Sequence, residues 1–198
     1  MEDLSKDKPV RPRGLHKAVV IGVSAGGLDV LGRLLPLIPA SFPLPVIVVQ
    51  HLHPLQDRSF LEILGRSCAL VVREAEEKEK ALPGVVYFAP PNYHLMLESD
   101  ATFSLSVDEK VNYSRPSMDV LFETAAEAFG PGLIGIILTG AGRDGAVGLR
   151  RIKENGGTTI VQDPATAQFP IMPMAAMEET KVDHVMNIEE IARFLSGL

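Results

Sequence analysis

Apolar positions along the chain follow two rhythms. Lys17 to Val23 (KAVVIGV) is a short, unbroken, β-branched run that ends in Ser24-Ala25-Gly26-Gly27. A run of that length without alternation predicts a strand buried on both faces, as in a parallel sheet. Leu28, Val30, Leu31, Leu34 and Leu35 then recur at helical spacing until Pro36 ends the pattern. Pro45 to Gln50 (PVIVVQ) predicts a second buried strand, and Asp57 to Ser67 a helix with Phe60, Leu61 and Leu64 inward. The opening therefore reads β-α-β-α, the signature of a doubly wound α/β fold.

The middle of the chain breaks this rhythm. Ala69 to Arg73 predicts a short strand, and the charged run Glu74 to Lys80 a solvated loop. Val85 to Ala89, His94 to Glu98 and Thr102 to Val107 read as strands with no helix between them, which predicts an antiparallel β-hairpin insertion near one sheet edge. The parallel pattern then resumes. A helix is expected from Pro116 to Phe129, a third buried strand over Leu133 to Leu138, and a tight loop over Gly140 to Gly145. Helices over Ala146 to Glu154, Met172 to Glu179 and Asn187 to Leu195, with a strand over Thr158 to Gln162, complete a mostly parallel sheet flanked by helices. Asn187 is placed to cap the last helix. Residues 1–14, polar and mixed in charge, read as a flexible tail, and residues 15–198 as a single catalytic-size domain.

Composition narrows the function. The 198 residues carry a net charge of -6 and a pI near 5.4, so no basic field draws the chain to nucleic acid or anionic lipid. One cysteine, Cys68, excludes an internal disulfide and suits a reducing, cytoplasmic setting. The one weakly charged window, Val30 to Val49, contains Arg33, Pro36, Pro39, Pro43 and Pro45, which predicts a helix, loop and strand instead of membrane insertion.

In an open parallel sheet, ligands bind beyond the carboxyl ends of the strands. Three predicted strand ends carry candidate chemistry: Ser24 after the first, His51 in Gln50-His51-Leu52-His53 after the second, and Asp144 in Thr139-Gly140-Ala141-Gly142-Arg143-Asp144-Gly145 after the third. A hydroxyl needs a base to take its proton, an imidazole titrates near neutrality, and a carboxylate fixes the ring tautomer. Small residues around Ser24 would expose its oxygen on a sharp turn.

Each feature also has a plainer meaning. The glycines after the first strand suit a tight turn or phosphate cradle, His51 and His53 suit a polar loop, and Asp144 suits a helix N-cap. His16, His94 and His184 read as structural, Cys68 as a small buried hydrophobe, and Met172, Met174 and Met177 as packing. Gly22-Val23-Ser24-Ala25-Gly26 also satisfies the G-x-S-x-G pattern of α/β-hydrolases, with His184 as the base, although that fold places several strands before its nucleophile. A dinucleotide cradle would need glycine where Ser24 stands and an acid where Gln50-His51 closes the second strand.

Read together, six stretches resemble the methylesterase domain of the chemotaxis protein-glutamate methylesterases, the CheB family. They are VVIGVSAGGLDVL (Val19 to Leu31), VVQHLHP (Val48 to Pro54), VVYFAPPNYHL (Val85 to Leu95), RPSMDVLFETAA (Arg115 to Ala126), LTGAGRDGAVGL (Leu138 to Leu149) and QDPATAQFPIMP (Gln162 to Pro173). The resemblance implies a Ser-His-Asp triad at Ser24, His51 and Asp144, acting without cofactor or metal. It implies hydrolysis of glutamate methyl esters on the cytoplasmic helices of methylated chemoreceptors, with deamidation of receptor glutamine in many members. An alternative is a weak or inactive regulator that keeps the fold and binds receptor or signalling partners.

The chain departs from the family pattern in three ways. Only about 17 residues precede the first strand, too few for the family's usual receiver domain of ~100 residues, so a stand-alone catalytic domain is expected, controlled in trans if at all. Ala25 stands where many members have Thr, and Ala141 where Met is frequent, which should leave a roomier pocket.

Overall fold

The computed structural model describes residues 16–51 and 59–198. The predicted tail and His53 lie outside the described residues. Seven strands form one sheet in the order β3-β4-β2-β1-β7-β8-β9. They are β1 (Ala18–Val23), β2 (Val46–Gln50), β3 (Val71–Glu74), β4 (Val85–Phe88), β7 (Leu133–Ile137), β8 (Thr158–Gln162) and β9 (His184–Met186). Every pairing in this sheet is parallel. β5 (His94–Leu97) and β6 (Phe103–Ser106) form a separate antiparallel pair. The helices are α1 (Gly27–Leu34), α2 (Ser59–Ser67), α3 (Met118–Phe129), α4 (Ala146–Glu154), α5 (Ile171–Glu179) and α6 (Ile188–Ser196).

Alternation along the strands divides the core into two layers. Val19, Ile21 and Val23 of β1 pack with Val30, Leu31 and Leu34 of α1 and with Ile188, Ile191 and Leu195 of α6. Ala18 and Val20 face the other way, toward Met118, Leu121 and Phe122 of α3 and Leu149 and Ile152 of α4. β1, β2, β7 and β8 are buried along their whole length, as the nearly continuous apolar runs of the first three require, while β8 also buries Thr158, Thr159 and Gln162. The Asn187 cap is present as a reciprocal capping box with Glu190.

The centre of the chain is where the structure differs from expectation. β3 and β4 are not part of an antiparallel insertion; they run parallel to one another and close one flank of the main sheet. Their crossover has no helix. It is the charged segment itself, tied down by an Arg73–Glu79 ion pair, by Arg73 lying 5.1 Å over the Tyr87 ring, and by the Tyr87 hydroxyl donating to Lys80 O. The hairpin is only β5–β6, attached to this crossover through a bridge between Lys80 and Thr102. β9 was not expected, because three half-exposed residues carry too weak a pattern. Met172 is buried, but Met174 and Met177 are exposed on α5 and do not serve as packing.

Candidate active site

Backbone register brings the first two candidates side by side. Val23 pairs with Gln50 and Gly22 with Ile137, so the next residues extend from neighbouring parallel strand ends. The ladder continues one step past the strands: His51 N–H donates to Val23 O at 3.1 Å, and Ser24 N–H to Thr139 O at 3.0 Å.

Gln50 binds these ends together. It is buried, and its Nε2 donates to both Ser24 O and His51 O at 2.9 Å. Its Oε1 is buried with no hydrogen-bond partner among the described residues. That oxygen faces Gly27, where an added Cβ would lie 2.1 Å from Oε1 and 2.7 Å from Val23 Cγ2, so any side chain there would displace the Gln50 amide. Thr139 Oγ1 supports the turn from the β7 side by donating to Ala25 O at 3.0 Å. Ser24 and His51 line one open cavity of about 240 Å³ with Ala25, Gly26, Gly27 and Gln50.

Asp144 reaches the same rim from the β7–α4 loop. Its Oδ2 lies 2.9 Å from His51 Nε2, at ion-pair distance. Among the described residues the ring nitrogen has no aligned hydrogen-bond partner, so proximity, not N–H direction, couples it to Asp144. Asp144 does not cap its own helix. Gly145 takes that place with φ 93°, where a Cβ would stand 2.7 Å from Ile137 Cδ1. Asp144 instead docks on the N-terminus of α3. Met118 N–H donates to Oδ2 at 2.7 Å; Ser117 Oγ, Asn112 Nδ2 and Asp119 N–H donate to Oδ1 at 2.7, 3.1 and 3.3 Å. A helix N-terminus favours a carboxylate through its free N–H groups and dipole. Burial alone would raise the Asp144 pKa, but the adjacent His51 ring and these donors outweigh it and hold the carboxyl below its ordinary range.

The remaining candidates fall elsewhere. His94 is buried; its Nδ1 accepts from Ser117 N–H, so its Nε2 is the protonated nitrogen facing Glu109 O at 3.0 Å. His184, the alternative base, opens β9, three strands from β1, and packs against Phe194. Cys68 is partly buried against the α1-side core, and burial raises its thiol pKa. Among the described residues no group of three or more His, Cys, Asp and Glu is arranged to hold a metal ion. Gln50, Ser117 and Asn112 also belong to the site, beyond the residues to which the sequence points. Gln50 adjoins His51 and was legible as an amide at a strand end, whereas the other two reach Asp144 across 27 and 32 residues.

The class of protein so defined is a doubly wound α/β fold whose chemistry-bearing side chains gather at the carboxyl rim of a parallel sheet. Residues 19–195 match the family model described as CheB methylesterase, and the chain belongs to that family. A Leptospira interrogans protein named "Putative protein-glutamate methylesterase/protein-glutamine glutaminase" is 53% identical over 92% of this chain and 95% of its own length. The Thermotoga maritima protein-glutamate methylesterase/protein-glutamine glutaminase is 38% identical over 95% of this chain and 56% of its own. The crystal structure of the T. maritima CheB methylesterase catalytic domain superposes with a TM-score of 0.88 at 38% identity, covering 92% of this chain and 98% of that one.

Proposed function

We propose that the protein hydrolyses methyl esters of glutamate side chains on the cytoplasmic helices of chemoreceptors, with Ser24, His51 and Asp144 as its catalytic triad. The supporting observation is that His51 shares a cavity with Ser24 on one side and lies 2.9 Å from the Asp144 carboxylate on the other. That substrate requires the protein to act in the cytoplasm. Among the described residues no helix is long and apolar enough to cross a membrane.

Ser24 Oγ attacks the ester carbonyl as His51 takes its proton, which contributes roughly 10²–10⁴-fold. Asp144 balances the imidazolium that forms. The negative tetrahedral oxygen sits against backbone N–H groups at the rim, where the N-terminal end of α1 adds a favourable dipole; one such donor is worth on the order of 10²–10³. His51 returns the proton to the leaving methoxide, which departs as methanol. Water, activated by His51, then splits the Ser24 acyl ester to give free glutamate. A glutamine side chain would enter the same acyl intermediate with ammonia as the leaving group. These steps need no metal or cofactor.

The test is release of labelled methanol from methyl-labelled receptor cytoplasmic fragments. The wild type should release it, and Ser24→Ala should fall to the uncatalysed level. Undiminished release by Ser24→Ala would refute the nucleophile. A wild type that binds the fragment without turnover would favour the regulator reading.

A further inference from the structure

Beside the proposed triad lies a second buried carboxylate to which that mechanism gives no role. Asp119, in the first turn of α3, is 5% exposed. Its Oδ1 accepts from Gly148 N–H of α4 at 2.7 Å, and its Oδ2 accepts from Asn112 Nδ2 at 2.7 Å. The same Asn112 nitrogen also donates to Asp144 Oδ1 at 3.1 Å. A primary amide nitrogen carries two hydrogens, so each carboxylate takes one, and with an acceptor on both sides the amide can face only this way. Asn112 has φ 50°, a left-handed backbone conformation that asparagine tolerates better than most residues, and this turn aims its side chain inward from an exposed position.

We propose that Asn112, anchored by Asp119, is a positioning residue that locks the Asp144 carboxylate with its Oδ2 toward His51. The inference rests on the triad reading above. Three donors saturate Oδ1 of Asp144, leaving Oδ2 with Met118 N–H and the imidazole. Ser117 and the α3 amides hold Asp144 from the helix, while Asn112 reaches the same Oδ1 from an exposed loop position. Without Asp119 the amide would have one fixed partner instead of two and could swing outward with its loop. Asp119 is itself clamped between α3 and α4, so it transmits the rigidity of that helix pair to an otherwise surface-borne side chain.

The experiment measures kcat and KM for methanol release from a methyl-labelled receptor cytoplasmic fragment. Asn112→Ala and Asn112→Gly should each lower kcat by about 10–100-fold, the range typical of residues that orient a reacting group, with KM within about twofold. Asn112→Gly keeps the left-handed backbone, so it separates loss of the amide from loss of the turn. Asp119→Asn leaves one acceptor oxygen for two donors, so its NH₂ must oppose either the Asn112 amide or Gly148 N–H, and the loosened anchor should cost a similar factor. Because Asp119 acts through Asn112, Asn112→Gly combined with Asp119→Asn should lose no more than Asn112→Gly alone. Wild-type kcat in Asn112→Gly, or fully additive losses in the double variant, would overturn the proposal. If the buried Asp119→Asn does not fold by circular dichroism, the Asn112→Gly result decides alone. Turnover by Ser24→Ala would instead overturn the esterase reading, whatever Asn112 does.

Discussion

The two sides of the site are built differently. On the acid side, every oxygen of Asp144 is engaged, the residue is 4% exposed, and its ligands come from α3 and the loop before it. On the hydroxyl side, Ser24 and His51 border an open cavity, glycines replace side chains, and Gln50 Oε1 has no partner among the described residues. One side is closed and fully hydrogen-bonded; the other is small and open, as the proposed ester substrate would require. Electrostatic preorganisation belongs where charge must be balanced at no reorganisation cost, and space belongs where bonds change.

After loss of the Ser24 hydroxyl itself, breaking the acid side should have the largest effect. Asp144→Asn should reduce turnover on the order of 10³–10⁴, by analogy with the serine-protease example, because an amide can leave His51 in the wrong tautomer. Initial rates of methanol release check this, with circular dichroism confirming the fold. A loss under tenfold would mean that the dry side of the site contributes little.

On the open side, Gly27→Ala drives a methyl group into the Gln50 amide and Val23. It should destabilise the protein by about 1–3 kcal/mol, read as a shift in urea midpoint. Gln50→Ala in the same chain should recover part of that loss by removing the obstruction.

The two acids of the α3 terminus differ in sign as well. Burial, Asp144 and Glu123 push Asp119 up to about 6 against the Gly148 N–H and Asn112 bonds, whereas Asp144 is held low. Asp119 is thus harder to ionise folded than unfolded. Its proton uptake favours the native state at acid pH, and that contribution is lost as pH rises from the ordinary carboxylate range through about 6, by about 3 kcal/mol. Asp144 does the opposite, stabilising above the ordinary range and losing that contribution as pH falls through its lowered pKa. Urea midpoints from pH 4 to 7 should show a falling component that disappears in a folded Asp119→Asn. The smallest effect is expected far from the rim. The Arg33–Glu189 pair is more than half exposed on both sides, and Arg33→Ala should leave both the urea midpoint and turnover essentially unchanged.

Much of this was legible from local pattern. Continuous apolar runs identify β1, β2 and β7 because burial on both faces leaves no alternation, and Ser24 and His51 follow directly at the ends of the first two. What stayed hidden depends on partners distant in sequence. Asp144 next to Gly145 reads as the cap of its own helix; that it binds the amides of another helix appears only once α3 and α4 pack. Glu74 to Lys80 reads as solvent-facing because charge is what the pattern records, yet Arg73, Glu79 and Tyr87 turn part of that segment into a parallel crossover. Met174 and Met177 carry the same hydropathy as Met172, and only the seating of α5 separates exposed from buried.

The central claim is that the hydroxyl on residue 24 is activated by the imidazole on residue 51. Labelling with a serine-directed fluorophosphonate, followed by peptide mass spectrometry, tests it most directly. The account predicts one adduct, on Ser24, that disappears in His51→Ala while the protein remains folded. An adduct on another residue, or an unmodified Ser24 in protein that still releases methanol, would contradict it.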